Sequence, residues 1–250
     1  MLRDKLLSFL EGELKSFNFE DSSKNGLQVE GKKNIKSVLF SVSASLSLIR
    51  KAAELKADAI IVHHGLLWGK EERIEGVYAQ KIKILLENEI NFFAWHLPLD
   101  ANKKYGNNIK IINLFGPSKI YPFGIYGKNK IGFKAILKKE LSLSEACSII
   151  KEKINDKALI LKFGPKKIRK IAAVSGGGQG LISQAVQEGA DLYITGEASE
   201  YCYETSRENN LNFAAAGHYA SEKFGVKALQ ELVSKKFKLK TYFYDSQNPI

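Results

Sequence analysis

The 250-residue chain holds four histidines, His63, His64, His96 and His218, and each comes directly after an apolar run. In parallel α/β sheets the C-terminal ends of strands are where ligands bind. A lone histidine is more often a satisfied structural residue than a ligand, but here all four sit at that edge. His63 and His64 are adjacent, delivered by Ile60-Ile61-Val62 and followed by Gly65. Neighbours on an extended backbone point to opposite sides, so the pair could serve two different metals, or one metal and one acid–base role. His218 and Glu222 fall one helical turn apart on one face, a spacing that lets two ligands share a metal site. His96 and Asp100 repeat that spacing, although Pro98 argues for a turn there rather than a regular helix. Imidazole and carboxylate without thiolate suit Zn, Fe or Mn. Five or six such side chains exceed what one open catalytic metal needs. Two metals bridged by a carboxylate would use them; the structural alternative is one scaffold metal or none.

Two further stretches border the same strand ends. Ser175-Gly-Gly-Gly-Gln-Gly180 lies between an apolar run and a helical stripe. It reads equally as a phosphate cradle of backbone amides or as a tight strand–helix turn. Glu197, in Thr195-Gly-Glu-Ala-Ser-Glu200, could line the same cleft or act as a first-turn acid of a helix.

The elements that must position these residues alternate. Strands are expected at 35–42, 59–62, 91–95, 168–174, 192–195, 211–216 and 239–244. Helices are expected at 45–55, 78–88, 181–188, 199–209 and 219–235. The first residues, Met1 to Glu11, read as an amphipathic helix rather than a signal peptide. The two halves also resemble each other. Leu48 to Asp58 lines up with Leu181 to Asp191, a shift of 133 that carries His64 onto Glu197. His96 to Asp100 faces His218 to Glu222 at a shift of 122, so the first copy has 11 more residues, expected around Trp68 to Val77. Between the halves, residues 123–137 read as a hairpin turning at Gly127-Lys128-Asn129-Lys130. Ser142 and Glu145 form a capping box for a helix to about Ile154, and 158–163 is a further strand. The expected fold is α/β: two pseudo-symmetric three-layer α/β lobes at 1–115 and 167–250, with an inserted α+β module at 116–166.

Charge singles out the middle of the chain. Residues 103–170 carry 17 Lys and Arg against 4 Asp and Glu, leaving 21 against 23 elsewhere. Such a segment fits an anionic partner, or equally a solvated Lys-rich surface. Lys128, Lys130, Lys166, Lys167, Arg169 and Lys170 are the candidate phosphate contacts for DNA. Phe123, Tyr126 and Phe133 are interleaved with the lysines and could stack bases or fill a hairpin core. Only 5 of the 38 basic residues are Arg, which argues against bidentate reading of bases. No apolar run is long enough for a membrane helix. Cys147 and Cys202 have no metal-like spacing, so a reducing cytoplasm is expected.

Asn25-Gly-Leu-Gln-Val-Glu-Gly31, Val62-His-His-Gly65, His96-Leu-Pro-Leu-Asp-Ala101, Ser175-Gly-Gly-Gly178, Thr195-Gly-Glu197 and Gly217-His-Tyr-Ala-Ser-Glu222 occur in that order. In this the sequence resembles the NGG-one-interacting-factor-three-like family, often labelled GTP cyclohydrolase type two homologues. The resemblance implies toroidal homohexamers enclosing a dinuclear metal site, hence two divalent transition-metal ions per subunit. It makes His63, His64, Asp100, His218 and Glu222 the ligands, with Asp100 or Glu222 bridging and His96 at the edge. Relatives commonly carry Asp where this chain has Ser43. The label implies hydrolytic opening of a purine ring, with His96 or Glu197 moving protons. The rival expectation is a DNA-binding ring, without base readout, built on the basic module. A third is a scaffold or metal-trafficking ring without turnover.

Overall fold

The computed structural model describes residues 1–69 and 73–250. In chain order the elements are α1 (Arg3–Leu14), β1 (Gly26–Val29), β2 (Ser37–Ser43), α2 (Leu46–Glu54), β3 (Ala59–His64), α3 (Gly76–Glu87), β4 (Asn91–Ala94) and α4 (Leu97–Asp100). There follow α5 (Asn107–Asn113), β5 (Pro117–Tyr126), β6 (Asn129–Ser142), α6 (Leu143–Lys153), β7 (Leu159–Lys162) and β8 (Lys167–Val174). The last are α7 (Ile182–Gln187), β9 (Leu192–Thr195), α8 (Tyr201–Glu208), β10 (Asn212–Ala215), α9 (His218–Phe237) and β11 (Lys240–Phe243). They form two units: Met1–Leu99 with Gly225–Gln247, and Asp100–Phe224 with Asn248–Ile250. Among the described residues no helix is long and apolar enough to cross a membrane.

The first unit is built on a sheet of order β1-β4-β3-β2-β11. Strands β2, β3, β4 and β11 are parallel, and β1 runs antiparallel to β4. Val38 to Val42 are all buried, the continuous pattern of a parallel strand covered on both faces. Helix α1 buries Leu6, Leu10 and Leu14, one per turn. Helix α2 starts where the Ser45 hydroxyl accepts from the Leu48 amide, and buries Leu48, Ile49 and Ala52.

The second unit has the sheet β5-β6-β8-β9-β10-β7, in which β8, β9 and β10 are parallel and the other pairings antiparallel. The capping box of Ser142 and Glu145 is present, and α6 buries Ala146, Cys147 and Ile150. Phe123 and Phe133 are buried, so of the three interleaved aromatics only Tyr126 stands exposed.

The repeat survives as hydrogen bonds. The Asp58 carboxylate accepts from the amides of Lys36 (2.8 Å) and Ser37 (3.1 Å); Asp191 accepts from those of Arg169 (2.8 Å) and Lys170 (2.7 Å). The buried Asn91 side chain accepts from Gly31 N and donates to Lys32 O and Asp58 O. The buried Asn212 accepts from Gly164 N and donates to Pro165 O and Asp191 O. Each copy thus fixes its antiparallel edge strand with one asparagine, satisfying backbone groups that burial would otherwise leave costly.

Two strands take partners that their place in the chain does not suggest. A shift of 133 carries β1 onto β7, so β7, expected inside the 116–166 module, holds the place of β1 in the second copy. Helix α6 precedes β7 as α1 precedes β1, and the β5–β6 hairpin lies between the two copies. Strand β11, expected in the 167–250 lobe, pairs with β2 in the first unit. Short apolar runs declare themselves as strands, but their partners are set by contacts far away in sequence. The 11 extra residues expected around 68–77 include 70–72, which lie outside the described residues.

Candidate metal centre

In the first unit β3 ends on His63 and His64, and His96 follows β4. Their candidate ligand atoms lie within 4.8 Å of one another. The His63 and His64 ring centres are 4.7 Å apart, and His96 is 5.1 and 5.6 Å from them. Alternation along the strand therefore does not part the two rings as expected; both turn toward His96 at the strand's last residues.

Each ring is oriented from behind. The buried His63 places Nδ1 2.9 Å from the Trp95 carbonyl oxygen, which can only accept. Nδ1 is therefore protonated and Nε2 carries the lone pair a metal needs. His64 Nδ1 meets the Ser43 hydroxyl at 3.1 Å. Ser43 thus contacts the cluster as a neutral partner. His96 Nδ1 lies 2.8 Å from Asp21 Oδ1, whose side chain is 2 % exposed. Burial raises the Asp21 pKa, but the hydrogen bond and charge of His96 outweigh it, helped by Asn25 and Ser23, and hold it at about 2. Asp21 Oδ2 also accepts from Leu97 N and Asn25 Nδ2, while Asn25 Oδ1 accepts from His96 N. Gln28 Oε1 accepts from Leu66 N and Leu67 N, fixing the loop after the paired histidines.

In the second unit His218 opens α9. Its Nδ1 is 2.6 Å from Glu197 Oε1 and its Nε2 3.2 Å from Glu222 Oε1. The hydrogen bond that His218 donates to Glu222 is the main cause, with Glu197 adding to it, of a His218 pKa raised to about 9 against the cost of burial. Without a metal His218 is an imidazolium between two carboxylates, and a cation bound there takes the place of its proton. The expected one-turn pairing of His218 with Glu222 is present, and Glu197 stands behind the imidazole as its orienting carboxylate. Asp100, buried, accepts from Asn107 Nδ2 (2.8 Å) and Ser175 Oγ (3.0 Å) through Oδ1.

The glycine-rich stretch is a tight turn that serves these residues. Ser175 N donates to Asn108 Oδ1 and Gly176 N to Ser221 Oγ, so both amides are engaged within the protein. Gly176 has φ +61°, and a Cβ there would lie 2.2 Å from Glu222 Oε1. Strand register also refines the repeat. Asn91 corresponds to Asn212, a shift of 121, which sets His96 against Gly217 rather than His218.

Sequence reading missed Asp21, Asn107 and Trp68. Asp21 is 75 residues from the histidine it orients, and no local pattern signals that contact. Asn25 and Gln28 stood within a recognised block but without a role. The basic candidates Lys128, Lys130, Lys166, Lys167, Arg169 and Lys170 all lie on the second unit and all six are exposed. Lys167 pairs with Glu140 at 3.1 Å, and the Arg169 guanidinium donates to Lys138 O.

These features define an α/β protein of two related units whose imidazoles and carboxylates gather at strand ends in groups suited to a metal. The chain belongs to the Duf34/NIF3 (NGG1p interacting factor 3) family, whose model matches residues 1–249. It is 41% identical to a Pyrococcus abyssi protein named GTP cyclohydrolase 1 type 2 homolog, over 98% of each chain. It is 40% identical to an Archaeoglobus fulgidus protein of the same name, over 96% of each. A solved structure from Thermus thermophilus aligns over the whole of both chains with a TM-score of 0.92 and 33% identity.

Proposed function

We propose that the protein is a metal-dependent hydrolase acting on a purine nucleotide or a related compound. Two divalent transition-metal ions, Zn, Fe or Mn, would be held by His63, His64, Asp100, His218 and Glu222. The observation that carries this reading is the three-histidine group, with Nδ1 of each ring engaged from behind. A donor set of nitrogen and carboxylate oxygen fits such ions. When bound, they supply Lewis-acid activation of water and of the substrate. His96 keeps one proton on Nδ1 against Asp21, and its Nε2 exchanges the other with substrate. Glu197 holds His218 in place. In the family's pattern the chain works as a homohexameric ring in the cytoplasm; its two cysteines are both free and buried.

The test is metal analysis of purified protein joined to turnover of a nucleotide panel. Close to two ions per chain are expected, with hydrolysis lost in His218→Ala or Glu222→Ala. Protein that takes up no metal in replete medium refutes the site. A metal-loaded hexamer inert toward nucleotides and phosphoesters refutes the hydrolase, and a monomer at all concentrations in light scattering refutes the ring.

A second reading, a DNA-binding ring with the metals structural, is favoured by one observation: the exposed lysines of the second unit. Single and double strands should both bind, with a log–log salt slope near −0.9 per phosphate contact on duplex. Charge reversal at Lys166, Lys167, Arg169 and Lys170 should weaken binding and leave metal content intact. No gel shift at low salt refutes it.

A further inference from the structure

The chain has two tryptophans, and they are used differently. Trp95 is fully buried, lies parallel to Phe93 at 5.8 Å, and donates from Nε1 to Glu11 at 3.0 Å. It is a core residue. Trp68 is half-buried. Its ring centre is 5.0 Å from that of His96, at 72°, and 6.0 Å from that of His64, at 48°.

Three features make Trp68 a prepared surface rather than a stray side chain. Its single polar atom, Nε1, donates to Gly65 O at 3.0 Å, so what it offers a ligand is an aromatic face and edge. Its backbone is pinned by the bridge to Ser23 and by Lys24 N donating to Leu67 O. Gln28 fixes Leu66 and Leu67 just before it. The indole is thus held in one place beside two imidazoles, and part of it stays open to solvent. Stacking on such a ring recognises any flat heteroaromatic group, because each presents a π face.

We propose that Trp68 is the stacking platform that positions a flat heteroaromatic ring of the substrate against the His63, His64 and His96 group. This rests on the hydrolase reading for the nature of the substrate, but stacking itself needs no metal. The platform sets where the ring lies; the histidine group acts on it. Neutral aromatic rings should therefore bind, and sugars without a base should not.

The test is calorimetric titration of the full-length protein with guanosine, and with ribose as the non-aromatic control, in metal-loaded and metal-free forms. Metal content is measured on every sample. Trp68→Leu is expected to weaken guanosine binding roughly tenfold or more, the size of a lost base–aromatic stack. Trp68→Phe, which keeps a ring, should retain most of the affinity, and both variants should keep the wild-type metal content. Equal affinity in wild type and Trp68→Leu overturns the proposal. So does a Trp68→Phe variant as weak as Trp68→Leu, or metal loss in Trp68→Leu, since either gives Trp68 a structural role. Wild-type protein that carries metal but binds no guanosine overturns the platform alone. Protein that binds guanosine through Trp68 but no metal overturns the metal reading alone.

Discussion

The two units share a scaffold and differ at its tips. Asp58 and Asp191, Asn91 and Asn212, and Gly31 and Gly164 make matching bonds in the two copies. At the ends of β3 and β9 the match stops. His63 and His64 in the first unit stand where Gly196 and Glu197 stand in the second, and Ser43 stands where Gly176 does. The glycines follow from crowding: a Cβ on Gly196 would come 2.7 Å from the His218 backbone. Buried backbone polar groups tolerate few solutions, so the scaffold is the same twice. Strand tips carry no such burden, and there the first copy presents imidazoles and the second mainly carboxylates.

The largest expected effect breaks that division of labour. A His63→Ala, His64→Ala double variant should lose most of its bound metal by elemental analysis, while its far-ultraviolet circular dichroism stays native. Full metal retention would refute the three-histidine group as metal ligands.

Next, Asn91→Ala and Asn212→Ala should each cost about 2 kcal/mol, since each removes three side-chain hydrogen bonds to half-buried or exposed backbone groups. Urea denaturation measures this. A severalfold difference between the two would show that the copies no longer bear equal load.

The polar pairs sharpen the comparison through pH. Asp21 has its pKa depressed to about 2, so its stabilisation is present above its ordinary value of 3.8 and is lost as pH falls through about 2. His218 has its pKa raised to about 9, so its stabilisation in metal-free protein is present below 6.5 and is lost as pH rises through about 9. Asp21→Asn should therefore cost about 2 kcal/mol at neutral pH, the loss of charge-assisted hydrogen bonds, and flatten the acid limb only. Glu222→Gln should flatten the alkaline limb only. Melting temperature against pH on metal-free protein distinguishes them.

The smallest effect concerns Ser43. Ser43→Ala removes one hydrogen bond to His64 and should cost about 1 kcal/mol with metal still bound. A large loss of metal would mean that the hydroxyl, and not Trp95 or Asp21, sets the cluster's geometry.

Much of this was legible beforehand. Apolar runs such as Ile60-Ile61-Val62, too short for a helix and rich in β-branched residues, read as strands of buried sheets, and they end on the histidines. The spacing of His218 and Glu222 requires one helical face. Asp58 and Asp191 could be matched because the repeat keeps equal lengths up to that point. These depend on local periodicity, which is a property of the backbone itself. Other features depend on which segments meet. Trp95 and Asp21 orient imidazoles from positions 32 and 75 residues away. Strand β7 takes the role of β1, and β11 closes the first sheet. His63 and His64 come within 4.7 Å of each other and both face His96, a meeting set by the loop after β4. No local pattern encodes these choices. They follow from burying the most apolar surface while leaving no buried donor or acceptor without a partner, a condition that only the folded chain satisfies as a whole.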